Sequence, residues 1–170
     1  MVGTKGQLFV MKSIAFSTAL FLLAASGSIA QTNVNLGGVS VDTSAAIEVA
    51  ADSLSVDQDT GTAVFSGNVL IGQGNLRLSA GRVEVIYSEE SGDIVRLLAS
   101  ENVTFATEND AAEAQNADYD ITTGLLTLTG DVLLTQGASA ISAERMVLNV
   151  KSGTATMDGR VRTVLQQGGN

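Results

Sequence analysis

No histidine, cysteine, tryptophan or proline occurs in the 170 residues, and Tyr and Phe number only 2 and 5. Each absence removes a class of function. Without His or Cys the chain lacks the commonest acid–base group, every thiol nucleophile and the usual zinc ligands. Without Cys an oxidising compartment is tolerated, but no disulfide adds stability. Without Pro, strand edges lose one of their common blocks to unwanted pairing. Basic residues are also scarce, 9 Lys and Arg against 18 Asp and Glu, for a net charge of −9. Setting aside Lys5 and Lys12 in the N-terminal segment leaves 7 basic residues against 18 acidic, a net −11. Nucleic acid needs clustered Lys and Arg, so it is nearly excluded as a partner.

Carboxylates, Ser and Thr remain as possible chemistry. The in-strand carboxylates fall on the outward parity, where burial does not raise a pKa, and no Ser or Thr has a general base beside it in the pattern. The chain therefore reads as no enzyme, with no cofactor and no metal centre. Asp57-Gln58-Asp59-Thr60-Gly61 resembles part of a calcium loop, but the downstream bidentate Glu is missing. It reads as a solvated turn between strands, with calcium as a secondary alternative.

What is present is a repeat. Gly61, Gly67, Val69, Gln73, Gly74, Ser79, Ala80 and Arg82 recur 63 residues later as Gly124, Gly130, Val132, Gln136, Gly137, Ser142, Ala143 and Arg145. A shorter echo, G-x-x-x-x-x-G-x-V, runs from Gly61 to Val69, Gly124 to Val132 and Gly153 to Val161. A degenerate copy lies between Gly92 and Val103, with Glu101 in place of the second Gly. Units starting at 61, 92, 124 and 153 mark a repeat architecture in which each unit covers its neighbour's apolar face.

Within a unit the spacing is two. Ala63, Phe65, Gly67, Val69 and Ile71 share one parity, as do Leu126, Leu128, Gly130, Val132 and Leu134, which predicts strands with one apolar face. Arg77, Glu84, Asp131 and Arg162 fall between apolar neighbours, on the opposite face. Leu76, Leu78 and Ala80 carry one parity and Val83, Val85 and Tyr87 the other, and the switch recurs between Ala143 and Met146. An extra residue at Gly81-Arg82 and at Glu144-Arg145 keeps both halves inward, as a bulge or corner does. Arg82 and Arg145 are read as solvated corner residues.

In chain order, residues 1–30 read as a secretory signal peptide. Met11-Lys12-Ser13 starts it, Ile14 to Ala25 is its apolar run, and Ser28-Ile29-Ala30 precedes the cut; residues 1–10 read as an upstream extension. Residues 31–45 read as a flexible lead-in, 46–165 as one all-β domain of ten to thirteen strands, and 166–170 as a disordered tail. Glu108 to Gln115, the one stretch without alternation, is expected to be a loop. The inward set comprises Phe65, Val69, Ile71, Leu76, Leu78, Val83, Val85, Leu126, Leu128, Val132, Leu134, Ile141, Met146 and Leu148. It fits a packed β-core or an apolar groove for acyl chains, and the pattern alone does not separate the two.

VFSGNVLIGQGNLRLSAGRVEV, LTLTGDVLLTQGASAISAERMVLNV and the final RVRTVL resemble the repeat of the OstA-like family of lipopolysaccharide transport proteins, over roughly Ala46 to Leu165. The resemblance implies a V-shaped β-jellyroll whose two sheets enclose an apolar groove, with the inward set as its lipid-binding lining. It also implies a periplasmic bridge that joins end to end between inner-membrane-anchored and outer-membrane partners of the same fold and passes lipid A acyl chains along the groove. Glu101 and the low Lys content depart from the family pattern, so acyl burial is expected to dominate over phosphate contacts. The alternatives are a structural or adhesive β-repeat protein with a filled core, and a membrane-anchored relative of the same fold. The C-terminal edge, with Val161, Thr163 and Leu165, is followed only by a short polar tail and is expected to pair with other chains, as is the opposite edge near Ile47 to Val56.

Overall fold

The repeat is a turn followed by a corner, as a computed structural model describing residues 32–35 and 44–164 makes plain. Four hairpin turns share one construction. A side chain caps the backbone N–H groups two or three residues on, and a left-handed glycine closes the turn four residues after the cap. Asp57 Oδ1 accepts from the Asp59 and Thr60 N–H groups at 2.9 and 3.3 Å, before Gly61 at φ 61°. Ser88 Oγ accepts from Glu90 and Ser91 before Gly92. Asp120 Oδ1 accepts from Thr123 before Gly124, and Asn149 Oδ1 from Lys151 and Ser152 before Gly153. Short polar side chains favour such local caps, and glycine adopts positive φ without steric cost. Because Ser88 and Asn149 do the same work, the acidic run at Asp57 is one capped turn among four.

The described residues form eleven strands: β1 (Thr32–Asn35), β2 (Ile47–Ala50), β3 (Ser53–Asp57), β4 (Thr62–Gln73), β5 (Leu76–Tyr87), β6 (Ile94–Ala106), β7 (Asp110–Asp120), β8 (Leu125–Gln136), β9 (Ser139–Asn149), β10 (Thr154–Asp158) and β11 (Arg162–Val164). Every pairing is antiparallel, and β4 to β9 pair in sequence order. Each of these long strands is interrupted at a common line, and the β5–β6 ladder shifts once more at Ile86-Tyr87, where Val95 is the extra residue. Ser66 pairs with Arg82 and Val69 with Ala80, leaving Gly67 and Asn68 opposite Gly81 alone. Likewise Glu101 and Asn102 oppose Gln115, and Gly130 and Asp131 oppose Glu144. Two inserted residues preserve parity and one inverts it. The inversion is therefore visible in β5, β7 and β9, whereas β4, β6 and β8 turn the same corner without leaving a trace in their pattern.

The corners divide the strands into two half-sheets. One contains β3, the corresponding halves of β4 to β9, then β10 and β1; the other contains β2, the remaining halves and β11. Both turn their apolar face to one continuous core that includes Val69, Leu97, Phe105, Leu128, Met146 and Met157. The sheet does not close into a barrel: it ends at β2 and β3 on one side and at β1 and β11 on the other. This is the all-β, two-walled architecture that the parity switch predicts.

Two expectations need correction. Glu108 to Gln115 is not a loop, because all but its first two residues belong to β7. Its inward positions are Asp110, Ala112, Ala114, Ala117 and Tyr119, all buried; alanine against Glu and Gln is too weak a contrast to register as alternation. Nor is the lead-in wholly unstructured, since Thr32–Asn35 forms β1 and pairs with β10, Thr32 opposite Met157 and Asn35 opposite Thr154. Residues 1–30, read as a signal peptide, together with Leu165 and residues 166–170, lie outside the described residues.

Candidate functional site

The candidate site is the apolar space between the half-sheets. Of the fourteen residues expected to line it, Val69, Ile71, Leu76, Leu78, Val83, Val85, Leu126, Leu128, Val132, Leu134, Ile141, Met146 and Leu148 are buried. Phe65 is partly buried and packs against them. Sequence reasoning missed the middle of the lining, Leu97, Val103 and Phe105 on β6 and Ala112 and Tyr119 on β7. The degenerate corner at Glu101 hid the first group and the weak contrast of alanine hid the second.

The lining is not sealed evenly. Residues directly opposite in an antiparallel pair share a face. Leu54 opposite Phe65 and Val56 opposite Ala63 therefore continue the inner wall onto β3. Among the described residues nothing covers them: Leu54 is 56% exposed and Val56 61%. At the other end Met157 on β10 is fully buried. The apolar interior thus runs out into solvent at the β2–β3 end. A separate concavity of about 760 Å3 lies mainly on the outward side of β2, β4 and β5, beside Glu48, Leu70, Gly72, Arg77 and Thr104.

Two buried polar side chains stand within this lining, and a third joins them. Gln73 is 2% exposed and Asp110 3%. The Tyr119 hydroxyl donates to Gln73 Oε1 at 3.1 Å, and Gln73 Nε2 donates to the Ala45 carbonyl at 3.2 Å. Tyr119 lies in the half-sheet of β3 and Gln73 in that of β2, on strands that are not neighbours in either. The bond therefore crosses the interior and ties the walls together. Both Asp110 carboxylate oxygens are buried without a hydrogen-bond partner among the described residues, an arrangement that normally costs stability.

Burial, with the nearby Asp120 charge as a lesser cause, raises the Tyr119 pKa above its ordinary 10.0. The folded state thus keeps the phenol neutral where the unfolded chain ionises it. Its contribution is complete below pH 10 and falls as pH rises from there towards the folded-state value. Tyr119→Phe is expected to cost about 1 kcal/mol at neutral pH and to remove part of the alkaline loss of stability. Urea melts at pH 7 and above pH 10 check it; identical pH profiles for the two proteins would rule the role out.

The outer face carries the charged side chains alongside exposed Leu70, Leu125 and Leu133. Arg96 makes a two-pronged contact with Asp118, with Nε to Oδ1 at 2.7 Å. Arg82 and Arg145 are exposed at their corners, and Arg145 lies 3.9 Å from Asp158. At the C-terminal edge Thr163 is in β11 and exposed, while Val161 precedes it and packs on the core. Among the described residues no group of three or more acidic side chains is placed to hold a metal.

A protein-family model described as LptA/(LptD N-terminal domain) LPS transport protein matches residues 48–154, from β2 into β10. The chain belongs to this family. It is a lipopolysaccharide transport protein of the LptA type, and not an enzyme. Lipopolysaccharide export system protein LptA of Haemophilus influenzae is 30% identical over 135 residues, 73% of this chain and 78% of that protein. An uncharacterized protein of Rhizobium meliloti is 27% identical over 155 residues, covering 84% and 83%. The crystal structure of LptH, described as the LptA-homologous periplasmic component of the lipopolysaccharide transport device of Pseudomonas aeruginosa, superposes with a TM-score of 0.68. That match covers 75% of this chain and 99% of LptH at 18% identity, and shows that the fold is shared.

Proposed function

We propose that this LptA-type chain, once residues 1–30 are removed, is a periplasmic bridge that carries lipopolysaccharide by holding its acyl chains between the half-sheets. The observation that supports this reading is the uncovered end of the inner wall. Leu54, Val56 and Phe65 extend the buried lining into solvent, so a chain entering there slides onto a predominantly apolar surface. At about 25 cal/mol per Å2 a few acyl chains supply several kcal/mol without any phosphate contact, which suits a protein this acidic. The same end offers the strand edges of β2 and β3, and the far end that of β11, to copies or partners of the same fold. Inner-membrane-anchored and outer-membrane transport proteins are the partners that such a bridge would join.

The closed packing of Val69, Leu128, Met146 and Leu148 favours the second reading, a filled-core repeat protein. A photo-reactive residue at Phe65 or Leu128 separates the two. Crosslinks to lipopolysaccharide from these positions and none from the outward Ser66 are expected, with lipid adducts of the purified protein in native mass spectra. Equal crosslinking from Ser66, or a protein free of lipid, would favour the filled core.

A further inference from the structure

The two ends of the stack are capped unequally. β2 and β3 form one bent strand interrupted at Ala51-Asp52, and β10 and β11 another interrupted at Gly159-Arg160. Among the described residues no strand pairs with the outer edge of either half at the first end, and β3 is exposed along its whole length. At the second end only β11, three residues long, lacks an outer neighbour among the described residues. The β10 half is covered by β1 over four residue pairs.

Strand direction tells what β1 replaces. In the half-sheet of β10, that strand runs from the hairpin rim towards the corner, and β1, being antiparallel to it, runs from corner to rim. β3 also runs from the corner at Asp52 towards its hairpin at Asp57. A second copy that extended the stack by laying its β2–β3 against β10–β11 would bring β3 into the half-sheet of β10, antiparallel to it. That is the place and the direction that β1 already holds. The short polar–apolar segments also match in kind, Thr-Asn-Val-Asn in β1 and Ser-Leu-Ser-Val-Asp in β3.

We infer that β1 is an internal stand-in for the β3 strand of an incoming copy, so that the C-terminal end is half closed until β1 leaves. The inference rests on the end-to-end reading above and adds a control to it. A joint through β11 alone offers three residue positions, whereas release of β1 adds β10 and lets both half-sheets continue. Strand addition takes its affinity from main-chain hydrogen bonds, so the longer edge binds more tightly. The exposed Leu54 and Val56 of the incoming β3 would at the same time be carried against the end of the core.

Proline cannot donate to a ladder, and successive strand residues aim their N–H groups to opposite sides, so changing two neighbours removes one donor to β10 whichever way the strand faces. The double variant Asn33→Pro/Val34→Pro is expected to raise self-association at least tenfold in analytical ultracentrifugation, with the fold intact by circular dichroism. Leu54→Glu added to it is expected to cancel the gain. The chain has no cysteine of its own, so Val34→Cys/Ala155→Cys can be oxidised selectively. This lock is expected to weaken association below wild type, with recovery on reduction. If the wild type and the proline variant associate equally, the stand-in role is wrong and end-to-end joining survives. If neither associates at any concentration, both are wrong. A gain that persists with Leu54→Glu would overturn β3 as the incoming strand.

Discussion

Leu128→Asp is expected to unfold the protein or lower its stability by about 4 kcal/mol or more, while Thr127→Lys, one residue away, changes it by no more than about 0.5 kcal/mol. Leu128 lies between Ala117 and Met146 on the inner wall and has no exposed surface. A carboxylate there loses its water and gains no donor. Thr127 faces outward, directly opposite Asp118, so Lys adds a partner at the surface. Aspartate would be the wrong control, because it would set a second carboxylate against Asp118. Urea melts of the two variants decide the matter. Comparable losses would mean that the assignment of walls is wrong and, with it, the location of the site.

The second large effect is expected at a corner. At three corners a left-handed glycine leaves room for a side chain from the preceding strand. A Cβ on Gly67 would lie 3.0 Å from the Cβ of Asp52, one on Gly130 2.8 Å from that of Gln115, and one on Gly159 2.6 Å from that of Glu144. The residue after each glycine then bonds that side chain: Asn68 to Asp52 at 2.8 Å, Asp131 to Gln115 at 2.7 Å, and Arg160 to Glu144 at 2.6 Å. At the fourth corner the two roles are exchanged. Glu101 holds the left-handed conformation at φ 69°, and Gly81 opposite it makes the room, its absent Cβ falling 2.7 Å from that of Glu101. Gly81→Ala alone is therefore expected to cost about 1–3 kcal/mol by overpacking. Glu101→Gly removes the obstacle and the strained φ together. In that background Gly81→Ala should be neutral or stabilising by up to about 1 kcal/mol, a coupling that a double-mutant cycle measures. Additive effects would show that Glu101 does not occupy the space that Gly81 leaves.

That exchange also explains what the sequence could and could not reveal. Wherever glycine and an inverted parity both mark the corner, as at Gly81-Arg82 opposite Gly67, the bend is legible from spacing alone. Glu101 carries neither sign: it is not glycine, and a two-residue insertion on its strand leaves parity unchanged. The walls were legible through Val, Leu and Ile at alternate positions. They were not legible through Ala112, Ala114 and Ala117, whose inward placement follows from neighbours on β6 and β8 rather than from their own hydropathy. The latch between Tyr119 and Gln73 had no local signal at all. Its partners are 46 residues apart and meet only because the half-sheets face each other. β1 was hidden for a similar reason, since a four-residue polar strand is recognisable only from the edge it joins.

Among the described residues the bent strands from β2–β3 to β10–β11 number eight, and the evenness of that count has its own consequence. With an even number, the first and last strands run in opposite directions, so the molecule is a tile whose two borders match and can be laid in a row without reversing any neighbour. Loss or gain of a single strand would make the borders clash in direction. Loss or gain of a whole hairpin would leave them compatible. On the end-to-end joining proposed above, variation in length among functional descendants of this chain is expected to come in steps of two strands, a selection rule imposed by polarity rather than by any contact.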